Sequence, residues 1–332
     1  MTTPTPPPDR SSRPSLACRA ARPLRHVVVG TGLDSQSDDA LRAAWDLTRR
    51  ADAELYIVHA ADLAPMGVTF GGDWLSPQAL EIALARQKTR LGDQLERLGI
   101  EPGELGGWHV EMGPPHKVLL RAAQQVSADL IVVGATRTGR LGRLLGSTAD
   151  RVTRRAVCPV LVVRDGLEMP PRRVLAPVDL SGLSADGLVC GLALLERIAG
   201  DKAATAEVDA LYVQDFHAEP WAEDLTTAEL EKIARRSLED LLLEHGSQVA
   251  GEIRPVLRIG EPREEILRHL EEHPTDLVVL STHGRGGFER LLLGSVAAET
   301  VRRSPVSVLL VPPDAALGTA LADAVAAQTV PV

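Results

Sequence analysis

TDLVVLSTHGRGGFERLLLGSVAAETVRRSPVSVLLV, residues 275–311, decides the fold. The aliphatic run Leu277–Leu280 ends in four small or polar residues, Ser281-Thr282-His283-Gly284. After nine intervening residues, Gly294-Ser295 opens a stretch of helical spacing, Val296–Arg303, and Pro305 leads into a second aliphatic run, Val306–Val311. Unbroken Val/Leu runs of this length read as strands buried on both faces of a parallel sheet. Strand, loop, helix and strand in that order imply an open α/β sheet with right-handed crossovers. The pattern occurs twice: ADLIVVGATRTGRLGRLLGSTADRVTRRAVCPVLVV, residues 128–163, repeats it.

The duplication extends upstream. Gly113-Pro114-Pro115 corresponds to Gly260-Glu261-Pro262, and Val27-Val28-Val29 to Val174-Leu175-Ala176. The offset is 147 residues at Gly113 and 148 at Gly146, so the first copy is one residue shorter between those landmarks. A period this long marks a duplicated domain, since solenoid repeats run at about 20–50 residues. In the first copy His26–Gly30, Glu54–Ala60, Gly107–Glu111, Asp129–Gly134 and Pro159–Val163 read as strands. Ser37–Arg50, Pro77–Leu98, Pro114–Val126 and Ser147–Arg155 read as helices, and Ala40, Leu41, Ala44, Trp45 and Thr48 form one face of the first. The second copy places strands at Arg173–Val178, Ala206–Val213, Glu252–Ile259, Asp276–Ser281 and Val306–Val311. The expected organisation is a tail over 1–23, a domain over 24–165, a stiff Pro-Pro linker over 166–172, a domain over 173–313 and an Ala-rich tail over 314–332. Six prolines in the first 23 residues and no apolar run make that tail a disordered segment rather than a secretory signal or a transit helix.

Composition narrows the chemistry. The 332 residues carry 44% apolar and 24% charged side chains, an ordinary globular mixture. A net charge of −9 and 3% aromatics argue against nucleic-acid binding by a basic face or by base stacking. Cys18, Cys158 and Cys190 form no CxxC pair, which fits a reducing cytoplasm and leaves no thiolate zinc motif. No run reaches the roughly 18 apolar residues of a membrane span.

Ligands of open α/β sheets bind beyond the carboxyl ends of the strands. The second copy concentrates its unusual residues there. Its first strand runs through Pro177 and Val178 into Asp179, a carboxylate able to accept from ribose hydroxyls or to share a metal beside phosphates; the plain alternative is a helix cap or turn. Gly284 and Gly294 let backbone amides approach an anion, and Ser295 starts a helix whose first amides favour phosphate. Leu291-Leu292-Leu293 would anchor the intervening loop. The pairs Glu264-Glu265 and Glu271-Glu272 read as solubilising charge on a solvated helix face, and Cys158 as the start of a buried strand.

This segment resembles the Gly-x2-Gly-x9-Gly-Ser/Thr signature of the universal stress protein family, and the whole chain is similar to a tandem member. The resemblance implies two Rossmann-like, adenine nucleotide alpha hydrolase-like domains. Each would hold a five-stranded parallel sheet of order 3-2-1-4-5 with helices on both faces. It implies ATP or AMP, with Mg²⁺ as its companion ion, between the ends of strands 1 and 4. Carried over, the contacts are Pro177, Val178, Asp179, Val213 beside adenine, Ser281, His283, Gly284, Gly294, Ser295, Val296 and Ala297. Ser281 stands where the signature has its first glycine. The resemblance also implies a cytoplasmic, non-enzymatic regulator of stress tolerance. Pairing of the two strand-5 segments within the chain, Val160–Val163 with Val306–Val311, would cover both edges, and further self-association gives a homodimer.

The first copy departs further. Gly32 stands in the place of Asp179, Arg137 in the place of Gly284, and eight residues rather than nine precede Gly146-Ser147. These changes predict a poor ATP pocket, so nucleotide is expected chiefly in the second copy. Arg140, Arg143, Arg151, Arg154 and Arg155 read as a solvated basic face. Two rivals stand beside this reading. One is an interaction module with both pockets empty. The other is an adenylating ATP pyrophosphatase, from the faint likeness of Gly30-Thr31-Gly32-Leu33-Asp34-Ser35 to an SGGxDS loop, against which stands a plain turn capped by Asp34 or Ser35.

Overall fold

Aliphatic strands with branched side chains on both faces need cover on both sides, and the chain supplies it with helices. The computed structural model describes residues 23–61, 77–135, 145–164, 166–200, 206–215, 226–245, 252–284 and 293–312. Both tail segments, except for Pro23, therefore lie outside the described residues.

The first copy contributes β1 (His26–Thr31), α1 (Ser35–Ala51), β2 (Glu54–Ala61), α2 (Pro77–Leu98), β3 (Gly107–Met112), α3 (Pro115–Gln125), β4 (Leu130–Gly134), α4 (Ser147–Thr153) and β5 (Val160–Val163). The second contributes β6 (Arg173–Val178), α5 (Gly182–Ala199), β7 (Glu207–Gln214), α6 (Thr227–His245), β8 (Glu252–Ile259), α7 (Pro262–Glu272), β9 (Leu277–Ser281), α8 (Ser295–Arg303) and β10 (Ser307–Val311). The ten strands form one sheet, β3-β2-β1-β4-β5-β10-β9-β6-β7-β8, and each half reads 3-2-1-4-5. Every pairing is parallel except the central one, where Val308 faces Val162, Leu309 faces Leu161 and Leu310 faces Val160 antiparallel. That central pairing is the strand-5 contact anticipated from the sequence.

Two apolar layers sandwich the sheet. One, under α1, α2, α5 and α6, joins Leu41, Leu91 and Leu161 to Leu188, Leu238 and Leu309. The other, under α3, α4, α7 and α8, joins Leu119 and Val160 to Ile266 and Val308. Both layers run across the seam between the copies. On the first face α1 packs directly against α5.

Several boundaries shift for local reasons. Strands β4 and β9 begin one residue later than the aliphatic pattern, each after an aspartate that clamps the start of the neighbouring strand. Asp129 Oδ2 accepts from the amides of Arg25 and His26, and Asp276 Oδ2 from those of Arg172 and Arg173. β10 starts at Ser307 because the Ser304 hydroxyl holds both the carbonyl and the amide of Val306. α4 stops at Thr153, where Arg155 N turns back to Val152 O in a tightened last turn. Within the stretch 166–172, Met169 and Pro171 are buried, while Gly166, Glu168 and Arg172 are exposed.

One expectation is corrected. Glu265 does not face water; it is 5% exposed and sits between Arg258, 3.0 Å away, and Arg268. The sheet at β8 brings Arg258 over α7, so a carboxylate at helical spacing finds cations instead of solvent. Glu264 is at the surface, 2.7 Å from Arg303.

Candidate functional site

In the second half the strand ends carry the site. β6 runs beside β7 with Pro177 opposite Leu211 and Val178 opposite Tyr212, so Val213 lies one residue past Val178 on the neighbouring strand. The chain then turns at Leu180, whose φ of 62° is left-handed, a conformation costing about 1–2 kcal/mol for a side chain like leucine. Asp179 holds that turn: its Oδ1 accepts from Ser181 N at 3.0 Å and from Ser181 Oγ at 2.6 Å. Ser181, not Asp179, is the cap of α5, accepting from Ser184 N. The carboxylate is thus a turn brace whose second oxygen faces the signature loop. A Cβ on Gly284 would lie 2.0 Å from Asp179 Oδ2, so any side chain there would have to displace the carboxylate.

The far end of the loop is tied back. Thr282 donates its amide to Val311 O, at 3.0 Å, and its carbonyl accepts from Gly294 N at 2.8 Å. Sequence reasoning passed over Thr282, although it sits between two singled-out residues and is 4% exposed. Its hydroxyl also lies 2.8 Å from His283 Nδ1. His283 Nε2 is buried and has no partner among the described residues. Gly294 caps α8 without a side chain, and the first bond into that helix is Ala298 N to Gly294 O. The amides of Ser295, Val296 and Ala297 thus precede the helical ladder. Ser295 is exposed and does not cap the helix, which leaves its hydroxyl available to a ligand. Arg285, Arg290, Leu291 and Leu292 lie outside the described residues; Leu293 is 7% exposed.

Ser281 takes a different place. A Cβ on Gly187 of α5 would lie 2.7 Å from Ser281 Cβ, and Ser281 Oγ accepts from His283 N at 3.3 Å. The serine therefore rests on the helix and steadies the loop. In the first half the sizes are reversed, Ala40 standing on α1 over Gly134.

The first half, where the sequence predicts a poor pocket, holds a cavity of about 390 Å³ at the same strand ends. Gly30-Thr31-Gly32, Val58-His59-Ala60, Gly134-Ala135 and Thr148-Ala149 line it, joined by Arg90 and Gln87 of α2. Ala60 is the counterpart of Val213. Asp34 caps α1, accepting from Ser37 N at 2.9 Å in a reciprocal capping box, which is the plain reading of the Gly30–Ser35 loop. Its other oxygen lies 3.1 Å from the place of a Cβ on Gly32. His59 donates from Nδ1 to Thr31 O at 2.9 Å, and burial holds its pKa below the usual histidine value, leaving Nε2 an acceptor near neutrality. Gln94 links the walls, taking Thr31 Oγ1 at 2.8 Å and donating to Asp38 at 2.8 Å. Gln87, Arg90 and Gln94 recur at i, i+3 and i+7 on one stripe of α2, a signal available in the sequence. Arg137, Arg140 and Arg143 lie outside the described residues. Arg151, Arg154 and Arg155 are exposed, and Arg154 pairs with Asp150 at 3.0 Å. Burial pushes the Cys158 thiol up to about 12, so it is not a thiolate at neutral pH.

The sequence model of the Universal stress protein family matches residues 23–164 and 171–312, one match per half. The chain belongs to the universal stress protein family. Universal stress protein Rv2623 of Mycobacterium tuberculosis is 32% identical over 212 residues, covering 60% of this chain and 67% of that one. Universal stress protein Rv2005c of the same organism is 26% identical over 315 residues, 87% of this chain and 98% of its own. That second relative spans both halves. A solved universal stress protein from Archaeoglobus fulgidus superposes with a TM-score of 0.59 over 86% of this chain and 95% of its own, at 18% identity; the likeness concerns the fold. Among the described residues no helix of this universal stress protein is long and apolar enough to cross a membrane.

Proposed function

We propose that this universal stress protein binds adenine nucleotide, ATP or AMP, in its second half and acts as a cytoplasmic regulator of stress tolerance. The observation carrying this is the Asp179–Gly284 contact, which keeps a carboxylate and bare backbone side by side next to the uncapped start of α8. Asp179 would accept from ribose, Val213 and Val178 would flank the ring, and His283, Gly284, Gly294, Ser295, Val296 and Ala297 would meet the phosphates. Pro177 and Ser281 shape the strand ends. Asp179 is one carboxylate, and no group of three or more His, Cys, Asp or Glu able to hold a metal occurs among the described residues. That donor set suits Mg²⁺ carried on the phosphates, which would neutralise their charge. The reading is of binding rather than turnover, since Asp179 already serves Ser181.

Identifying any nucleotide released on denaturing the purified protein, together with calorimetry with and without Mg²⁺, tests it. Gly294→Val should abolish ATP binding, because a side chain there meets Thr282 O at 3.1 Å and fills the phosphate approach; Gly146→Val should leave ATP binding intact. Absence of binding to the intact protein, or equal losses in both variants, would reject the proposal.

A further inference from the structure

We propose that the outer corner between α3 and α4 of the first half docks an acidic segment of a partner protein, which supplies in trans the carboxylates that the second half carries in cis. The duplication itself gives the comparison. In the second half Glu261 caps α7 by accepting from Glu264 N, and Glu264 meets Arg303 at 2.7 Å. Glu299 meets the same arginine at 3.4 Å and also pairs with Arg302. The counterparts of Glu261, Glu264 and Glu299 in the first half are Pro114, Lys117 and Arg151, while Arg303 corresponds to Arg155. Three acids are thus exchanged for a proline and two cations, and the arginine they surround is kept.

The exchange leaves like charges together. Lys117, Arg151 and Arg155 are exposed, and no carboxylate pairs with them among the described residues. The neighbouring cations are already paired, Arg121 to Glu111 and Arg154 to Asp150. α3 has no acidic residue, against four in α7. Lys117 stands in the first turn of α3 and no side chain caps that helix, so the peptide dipoles add to the positive field. All three cations lie around the buried ring of His116, whose pKa is held below the usual histidine value by burial and then by these charges. Repulsion of this kind weakens a fold until an anion relieves it. Val157, 72% exposed where the second half has Pro305, adds an apolar contact two residues beyond Arg155. Arginines beside an apolar side chain suit a protein surface. Three cations on a chain of net charge −9 are too few for a phosphate backbone or an anionic bilayer.

The test is fluorescence anisotropy of a labelled oligoglutamate peptide with the full chain at low ionic strength. The peptide should bind, and added salt should weaken it about tenfold or more. Lys117→Glu with Arg151→Glu restores the acids of the second half beside Arg155, so that variant should fold and should lose peptide binding by about tenfold or more. Lys117→Gln with Arg151→Gln should fall between. Lys232→Glu with Arg236→Glu on α6 changes the net charge equally at exposed positions and should leave peptide binding within about twofold. No binding by the unaltered chain, equal losses in the two reversed pairs, or tighter binding of duplex DNA or phosphatidylserine vesicles than of the peptide overturns the inference. ATP binding is read separately and should stay within about twofold in every variant, so this inference and the nucleotide proposal fail independently.

Discussion

Gly187 and Ser281 show how a single exchange of bulk preserves a fold. The second half has a serine on its strand under a glycine on its helix, and the first has Gly134 under Ala40. Gly187→Ala should therefore destabilise the protein by about 1–3 kcal/mol, an overpacking cost that outweighs the roughly 1 kcal/mol of helix propensity gained. In a Ser281→Gly background, where only the backbone of residue 281 stays close, at 3.0 and 3.1 Å, the same change should cost less. A urea-denaturation double-mutant cycle reads this coupling, and simple additivity would refute the pairing. The same geometry explains why Ser281 departs from the family signature without blocking the loop: its side chain is turned to α5.

At the level of elements, the aspartates before β4 and β9 register strand 1 of each half. Asp276 bonds the amides of Arg172 and Arg173 as well as the Arg173 guanidinium at 2.6 Å. Burial would raise its pKa, but these donors win and hold it below 3.8. Asp276→Ala should cost about 2 kcal/mol in chemical denaturation, the scale of hydrogen bonds to a charged group. The strap between α1 and α2 behaves alike: the Arg97 hydrogen bond holds Asp38 below 3.8 against burial. Carboxylates with lowered folded pKa values stabilise above 3.8, and that contribution is lost as pH falls through the folded values. Burial lowers His59, His109, His116 and His269 below 6.5. The unfolded chain then takes those protons first, so stability is full above 6.5 and declines as pH falls below it. Urea midpoints should be flat above pH 7, fall below 6.5, and fall again below about 4. Midpoints that rise on acidification would contradict these environments.

For the whole molecule, the seam is the decisive feature. β5 and β10 close one sheet, and both apolar layers cross the junction. Arg164 adds a one-sided lock: its Nη2 donates to Val301 O at 2.8 Å and Arg302 O at 3.2 Å, at the end of α8, while its amide donates to Ser307 Oγ at 2.9 Å. Pro312 stands at its counterpart in the second half, so no mirror contact exists there. Calorimetric unfolding should give a single transition rather than one per half. Arg164→Ala should lower stability by about 2–3 kcal/mol by stranding buried carbonyls; two resolved transitions in the unaltered chain would show that the halves are independent.

Much of this architecture was readable before any coordinates. Val/Leu/Ile runs between segments of helical period specify buried parallel strands, and an offset of 147 residues specifies two copies, because periodicity is a local property of the chain. The loop glycines and Asp179 were legible for the same reason. What needed the tertiary structure was every relation between distant residues. Only packing sets Gly187 against Ser281, buries Glu265 between two arginines, ties Thr282 to Gly294 and Val311, and brings Arg90 from α2 to the wall of the first-half cavity. Composition and spacing say which groups exist; bond lengths and excluded volume between separate elements say which of them can meet.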